Sequence, residues 1–190
     1  MNIKTTPFEG VFILKPNVHL DERGSFRESF NGREAEKVLG RKIMFCQDNL
    51  THSKKGVLRG LHYQLPPFSQ TKLVQALKGS VLDVVVDIRK GSPTFGHHFS
   101  CELSAENQLQ LFIPGGFAHG YITLTKTSIF MYKVDQFYNF DSEGSITPND
   151  PVLGIDWQIP QSEWIQSEKD KNHPTLEEAP LFDYNVDLYV

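Results

Sequence analysis

Alternating apolar and polar positions dominate this chain. Residues 81–88 (VLDVVVDI) set Leu82, Val84, Val86 and Ile88 on one face and Val81, Asp83, Val85 and Asp87 on the other. A period of two with one wholly apolar face predicts a strand packed on a core. Residues 109–113 repeat the pattern through Leu109, Leu111 and Ile113, and Pro114-Gly115-Gly116 ends it. Residues 71–77, 118–124 and 128–134 are further strand candidates. Helical signal is sparse. Residues 33–39 (REAEKVL) are rich in helix formers and stop at Gly40. Residues 163–171 follow Pro160-Gln161-Ser162 and predict a second helix, with Ser162 as its N-cap. Many short strands between turn signals, with helices only near the two ends, predict an all-β sandwich or barrel.

Fourteen glycines and eleven prolines are scattered, marking turns without any linker, repeat or low-complexity block. At 190 residues, one domain spanning residues 1–190 is the expectation. The 39% hydrophobic and 22% charged fractions are those of a globular chain, which excludes wholesale disorder. The formal net charge of −4 argues against a nucleic-acid or anionic-membrane partner. No apolar run is long enough to span a bilayer, and the N-terminus lacks a signal-peptide core. Two cysteines, Cys46 and Cys101, do not make a disulfide scaffold, so a cytoplasmic location is expected.

The densest polar cluster lies among apolar strands. It runs Gln47-Asp48-Asn49, then Leu58-Arg59-Gly60-Leu61-His62-Tyr63-Gln64, then Gln70-Thr71-Lys72. A charge in a core strand is costly unless it is paired or useful. Two readings stay open: a solvated arginine with a hydrogen-bonded core histidine, or a site. Strict alternation puts Arg59 and His62 on opposite faces; a bulge at Gly60 would turn both inward. A second cluster, Phe117-Ala118-His119-Gly120-Tyr121, follows the Pro114-Gly115-Gly116 turn. It reads either as a surface histidine near a turn or as a close backbone approach to a ligand. Tyr132 and Tyr138 are packing residues or proton donors.

Metal binding is not expected. Metal sites in β-barrels of this sort need two histidines two apart on a strand, plus a nearby carboxylate and a later histidine, but Gln64 stands two residues after His62, and His97 and His98 point to opposite faces. No glycine-rich cofactor or nucleotide motif occurs, so no cofactor is expected. A histidine, a lysine and tyrosines then suit proton transfer at carbon next to a carbonyl.

The strings DERGSFRESF, QDNLTHSKKGVLRGLHYQ, SQTKLVQALKGSVLDVVVDIR, SPTFG, IPGGFAHGY, NDPVLGIDW and SEKD occur here in order. In this the chain resembles the dTDP-4-dehydrorhamnose 3,5-epimerases over roughly residues 3–180. The resemblance implies a cupin-type double-stranded β-helix (jelly roll) with short peripheral helices. It implies a homodimer with N-terminal strand exchange and no metal. The implied reaction inverts C3 and C5 of a dTDP-4-keto-6-deoxy sugar. Carried over by motif, His62 is the general base, Asp170 orients it, Tyr132 is the proton donor, and Lys72 is the cation near the C4 oxygen. Arg59 and His119 match contacts around the sugar and diphosphate. Arg23, Phe26, Glu28, Gln47, Asp48 and Asn49 belong to the nucleotide-contact motifs, and some of them would serve the partner's site. Tyr138, Glu143 and Lys169 match further substrate contacts. One departure is Pro148-Asn149-Asp150-Pro151, where the family often has Trp-Asn-Asp-Pro. Enzymes inverting C3 or C5 alone share the acid–base pair, because pocket shape decides the outcome. A non-catalytic sugar-binding jelly roll is the competing class. A metal-dependent oxygenase is disfavoured by Gln64.

Overall fold

A computed structural model describes residues 2–188. Its first elements are β1 (Asn2–Thr5), β2 (Phe12–Lys15), β3 (Val18–Asp21), β4 (Gly24–Arg27), α1 (Gly32–Leu39), β5 (Gln47–Lys54) and β6 (Leu58–Gln64). Then come β7 (Lys72–Lys78), β8 (Ser80–Asp87), β9 (Arg89–Lys90), β10 (His98–Ser104) and β11 (Gln110–Ile113). The last are β12 (Phe117–Thr123), β13 (Thr127–Val134), β14 (Glu143–Ser145) and β15 (Phe182–Asp183). Every strand expected from alternation recurs within a residue of its predicted ends.

Six strands form one antiparallel sheet in the order β1-β2-β11-β7-β13-β5, and five form another, β10-β8-β12-β6-β14. The two sheets face each other as a jelly roll, with Val74, Phe130 and Leu111 of the first meeting Val81, Val85 and Leu103 of the second. Each fully buried side chain of this size contributes about 1.5–3 kcal/mol of hydrophobic free energy. The outer face of the first sheet is covered by α1 and its flanks, where Leu39, Ile43 and Phe45 pack on Leu14, Leu73 and Phe112. C-terminal loops cover the outer face of the second sheet, setting Trp157, Leu176 and Phe182 over Leu58, Leu61 and Val84.

Local chemistry explains α1. Asn31 caps it by accepting from the amides of Arg33 and Glu34, and Gly40 ends it in the left-handed conformation. Two expectations need correction. Strand β8 is buried on both faces, not one, because the loops seal its second side; Asp83 and Asp87 are fully buried with partners. Residues 163–171 do not form a helix. Ile165 donates to Gly56 O and accepts from Leu58 N, so the segment bridges to the chain beside β6. Only two short 3₁₀ turns remain, Gln161–Glu163 and Asp170–Asn172. Tertiary pairing has overridden a weak local preference.

Candidate active site

Strand β6 pairs with β12 so that His62 opposes His119 and Arg59 opposes Tyr121, with a register shift between. Gly60 and Leu61 therefore face Gly120 alone, which is a β-bulge. The extra residue turns Arg59 and His62 to the same side, as a bulge at Gly60 requires. Glycine is needed on both strands here. Gly60 has φ 129°, and a Cβ on it would lie 2.5 Å from the Gly120 Cα; a Cβ on Gly120 would lie 2.7 Å from Arg59 O.

The inward face of β6 and β12 meets the inward face of β7 and β13 across a cavity of about 560 Å³. Arg59, His62, His119 and Tyr121 line it from one sheet, and Lys72, Tyr132 and Thr51 from the other. Loop residues Tyr138, Lys169 and Asp170 and the β14 residue Glu143 close its rim.

His62 Nε2 is 2.8 Å from Asp170 Oδ1, and Asp170 N donates to Ser167 Oγ at 3.1 Å. Burial raises the Asp170 pKa, but the hydrogen bond and charge of His62, with Ser167 and His173 adding to them, together outweigh it and hold the carboxyl below its ordinary value. An ionised Asp170 fixes the imidazole proton on Nε2 and leaves Nδ1 as the basic nitrogen. Tyr132 sits on the facing sheet. Burial raises its pKa, so the phenol keeps its proton at neutral pH. Among the described residues its hydroxyl has no hydrogen-bond partner, whereas Tyr121 OH lies 2.6 Å from Thr51 Oγ1. Tyr132 is thus the phenol free to donate.

Lys72 is buried, and its ammonium donates to His62 O at 3.3 Å. Desolvation lowers its pKa to about 8, and the nearby Asp83 and Glu143 charges offset part of that cost. Behind it, His119 Nε2 is 3.0 Å from Asp83 Oδ2. Burial pushes the Asp83 carboxyl up and the His119 imidazole down. At the rim, Glu143 accepts from Tyr138 OH at 2.7 Å and from the Lys169 ammonium.

Nine of the residues singled out in the sequence therefore converge: Arg59, His62, Lys72, His119, Tyr132, Tyr138, Glu143, Lys169 and Asp170. Others do not. Gln47 and Asn49 bond to each other on β5 beyond the cavity wall. Asp48 alternates to the other face of β5 and pairs with Lys133 at 2.8 Å, so it is not placed to touch a ligand in this cavity. Arg23 and Phe26 lie on the β3–β4 hairpin and Glu28 just after it, none of them lining this chain's cavity. Arg23 pairs with Asp21, and Glu28 accepts from Asn31. Tyr121, from the second polar cluster, also lines the site, and two residues given no site role by sequence reasoning line or support it: Thr51 and Asp83. Asp83 carried a signal, one of two carboxylates amid the valines of residues 81–88. His173 packs edge-on against His62, ring centroids 5.1 Å apart, and had no local signal at all.

Two facing antiparallel sheets with an imidazole–carboxylate pair, a phenol and a buried lysine between them define a cupin-type jelly roll equipped for acid–base chemistry. The chain belongs to the dTDP-4-dehydrorhamnose 3,5-epimerase family, whose profile matches residues 5–178. It is 49% identical over 181 residues to a dTDP-4-dehydrorhamnose 3,5-epimerase of Salmonella typhimurium, covering 95% of this chain and 98% of that protein. A crystal structure of a dTDP-6-deoxy-D-glucose-3,5-epimerase from Legionella pneumophila Philadelphia 1, in complex with dTDP-4-keto-L-rhamnose, superposes with TM-score 0.93. It is 44% identical, covering 97% of this chain and 99% of that one. A 3′-monoepimerase from Streptomyces bikiniensis, in complex with dTDP-quinovose, is also similar, at 35% identity and TM-score 0.84 over 90% and 86% of the two chains.

Proposed function

We propose that this protein epimerises dTDP-4-dehydro-6-deoxy-D-glucose at C3 and C5, giving dTDP-4-dehydro-L-rhamnose. The observation that carries the reading is the opposition of His62, backed by Asp170, to Tyr132 across one cavity. Both carbons flank the C4 ketone, so loss of either proton gives an enolate. His62 Nδ1 takes the proton, and the C–H electron pair moves into the enolate. Tyr132 then returns a proton to the other face of the carbon. Before the next turn the imidazolium releases its proton and the phenolate regains one, so protons balance. Lys72 stabilises the charge developing at the C4 oxygen, a buried cation acting where it is worth most. Arg59, its guanidinium at the cavity mouth, suits the diphosphate. No cofactor enters these steps.

The reading extends to assembly and location. The β3–β4 hairpin forms a two-stranded sheet of its own and carries Leu20 and Phe26 at 80% and 67% exposure. A homodimer in which this arm lies on the other copy would bury these side chains and deliver Arg23, Phe26 and Glu28 to the partner's nucleotide pocket. The whole chain then acts as one catalytic domain. No helix among the described residues is long and apolar enough to cross a membrane, in keeping with a cytoplasmic enzyme.

The test is proton exchange. With dTDP-4-dehydro-6-deoxy-D-glucose in D₂O, mass and NMR analysis should find deuterium at both C3 and C5. Label at C3 alone would support the second reading, which the likeness to a 3′-monoepimerase favours. No label at either carbon would reject catalysis on this substrate and leave a sugar-binding jelly roll.

A further inference from the structure

His173 is a buried imidazole that the acid–base scheme does not use. Its side chain is 3% exposed, and beyond a loose contact with the Ile146 backbone neither ring nitrogen has a hydrogen-bond partner. A buried polar group left so costs about 1–3 kcal/mol. Its Nε2 is nevertheless aimed at the dyad, 3.4 Å from the same Asp170 Oδ1 that lies 2.8 Å from His62 Nε2. Ligand atoms from His62, Asp170 and His173 all lie within 4.8 Å of one another.

That spacing is close to what a zinc ion needs. Bonds of about 2.0–2.2 Å to nitrogen and oxygen in a tetrahedron set ligand atoms about 3.3 Å apart. Two imidazoles and one carboxylate are also the donor set of a borderline ion. Magnesium and calcium prefer all-oxygen shells. His62 is 32% exposed, and both it and Asp170 line the cavity, through which an ion would enter.

We propose that His62, Asp170 and His173 form an inhibitory site for a zinc-type divalent ion. Inhibition, though not binding, rests on the reading of His62 as the base. An ion held on Nε2 takes the lone pair there and sends the single imidazole proton to Nδ1. That nitrogen then has no lone pair for the sugar proton. The ion also withdraws the Asp170 carboxylate from His62. His173 serves the ion and has no part in turnover.

The experiment uses the full chain, freed of metal with EDTA and then dialysed. Calorimetry with zinc chloride should show one site per chain. Cobalt(II) should give the intense visible absorption of tetrahedral nitrogen–oxygen coordination. Zinc should stop turnover, and EDTA should restore it. His173→Gln and His173→Leu should each weaken binding by about 10–100-fold or more and keep metal-free turnover. The leucine variant fills the space if glutamine perturbs folding. No binding, or binding unchanged in both variants, overturns the site. The function reading is judged separately, by exchange in the metal-free protein. Binding that depends on His173 but leaves turnover intact overturns the inhibitory role.

Discussion

His62 and Asp170, 108 positions apart in sequence, meet at 2.8 Å across the edge of the second sheet. β6 supplies the imidazole, and a loop that has just bridged to Val57 supplies the carboxylate. Two substitutions should separate their roles. His62→Asn should cut turnover by about 10²–10⁴-fold, the scale of a lost general base. Asp170→Asn should fall within that range, through a misplaced proton. Steady-state assays with circular dichroism as a fold control check both. Near-normal turnover in folded His62→Asn would exclude it as base.

Tyr132→Phe removes the proton return and leaves abstraction intact. The variant should lose product faster than it loses deuterium incorporation in D₂O. Equal loss of both would count against a two-face mechanism.

Lys72 links pH to both activity and stability. In the proposed mechanism its ammonium steadies the enolate, and burial lowers its pKa from 10.5 to about 8. The charge is present below that value and lost above it, so kcat/KM should fall as pH rises through about 8. The stability sign is opposite. The folded state disfavours the charged form, so the penalty is complete below about 8 and relieved as pH rises toward 10.5. At pH 7 it is about 3 kcal/mol. Lys72→Met should therefore raise the melting temperature at pH 7 while abolishing most turnover and the alkaline limb. Thermal scans across pH and a pH–rate profile test the two halves.

Gly60→Ala should damage both fold and site. The new Cβ meets the Gly120 backbone, and the φ of 129° adds about 1–3 kcal/mol of strain. Loss of the bulge turns either Arg59 or His62 out of the cavity. Denaturant midpoints and turnover should fall together; a stable, active alanine variant would show that the bulge is dispensable.

EDTA should not lower activity, since the proposed proton transfers use no metal and an ion at His62 would only inhibit them. Loss of activity that only added metal restores would overturn the acid–base scheme.

Much of this was legible in the chain. Alternation over 81–88 and 128–134 marked core strands, and helix formers over 33–39 ending at Gly40 marked the helix. The polar residues of β6 and β12 stood out because charge among valines and leucines is costly. The bulge was legible only as a possibility, because the register shift depends on which strand pairs with β6. What stayed hidden was long-range. Residues 163–171 carry helix formers, yet Ile165 is worth more bonded beside β6. His173 has no strand neighbour to announce it, and spacing rules for metal ligands look along one strand, not between a strand and a loop. The hairpin residues Arg23, Phe26 and Glu28 gain meaning only with a second copy.

The C-terminal loops do two jobs with one stretch of chain. They seal the back of β6, β8 and β12 with Trp157, Leu176 and Phe182, and between those anchors they deliver Asp170 and His173. Trimming the enzyme before this stretch would expose the interior and disarm the imidazole in a single cut. Drift at the rim is far cheaper, because the Tyr138 and Lys169 side chains sit at the surface and bond only to Glu143 beside them.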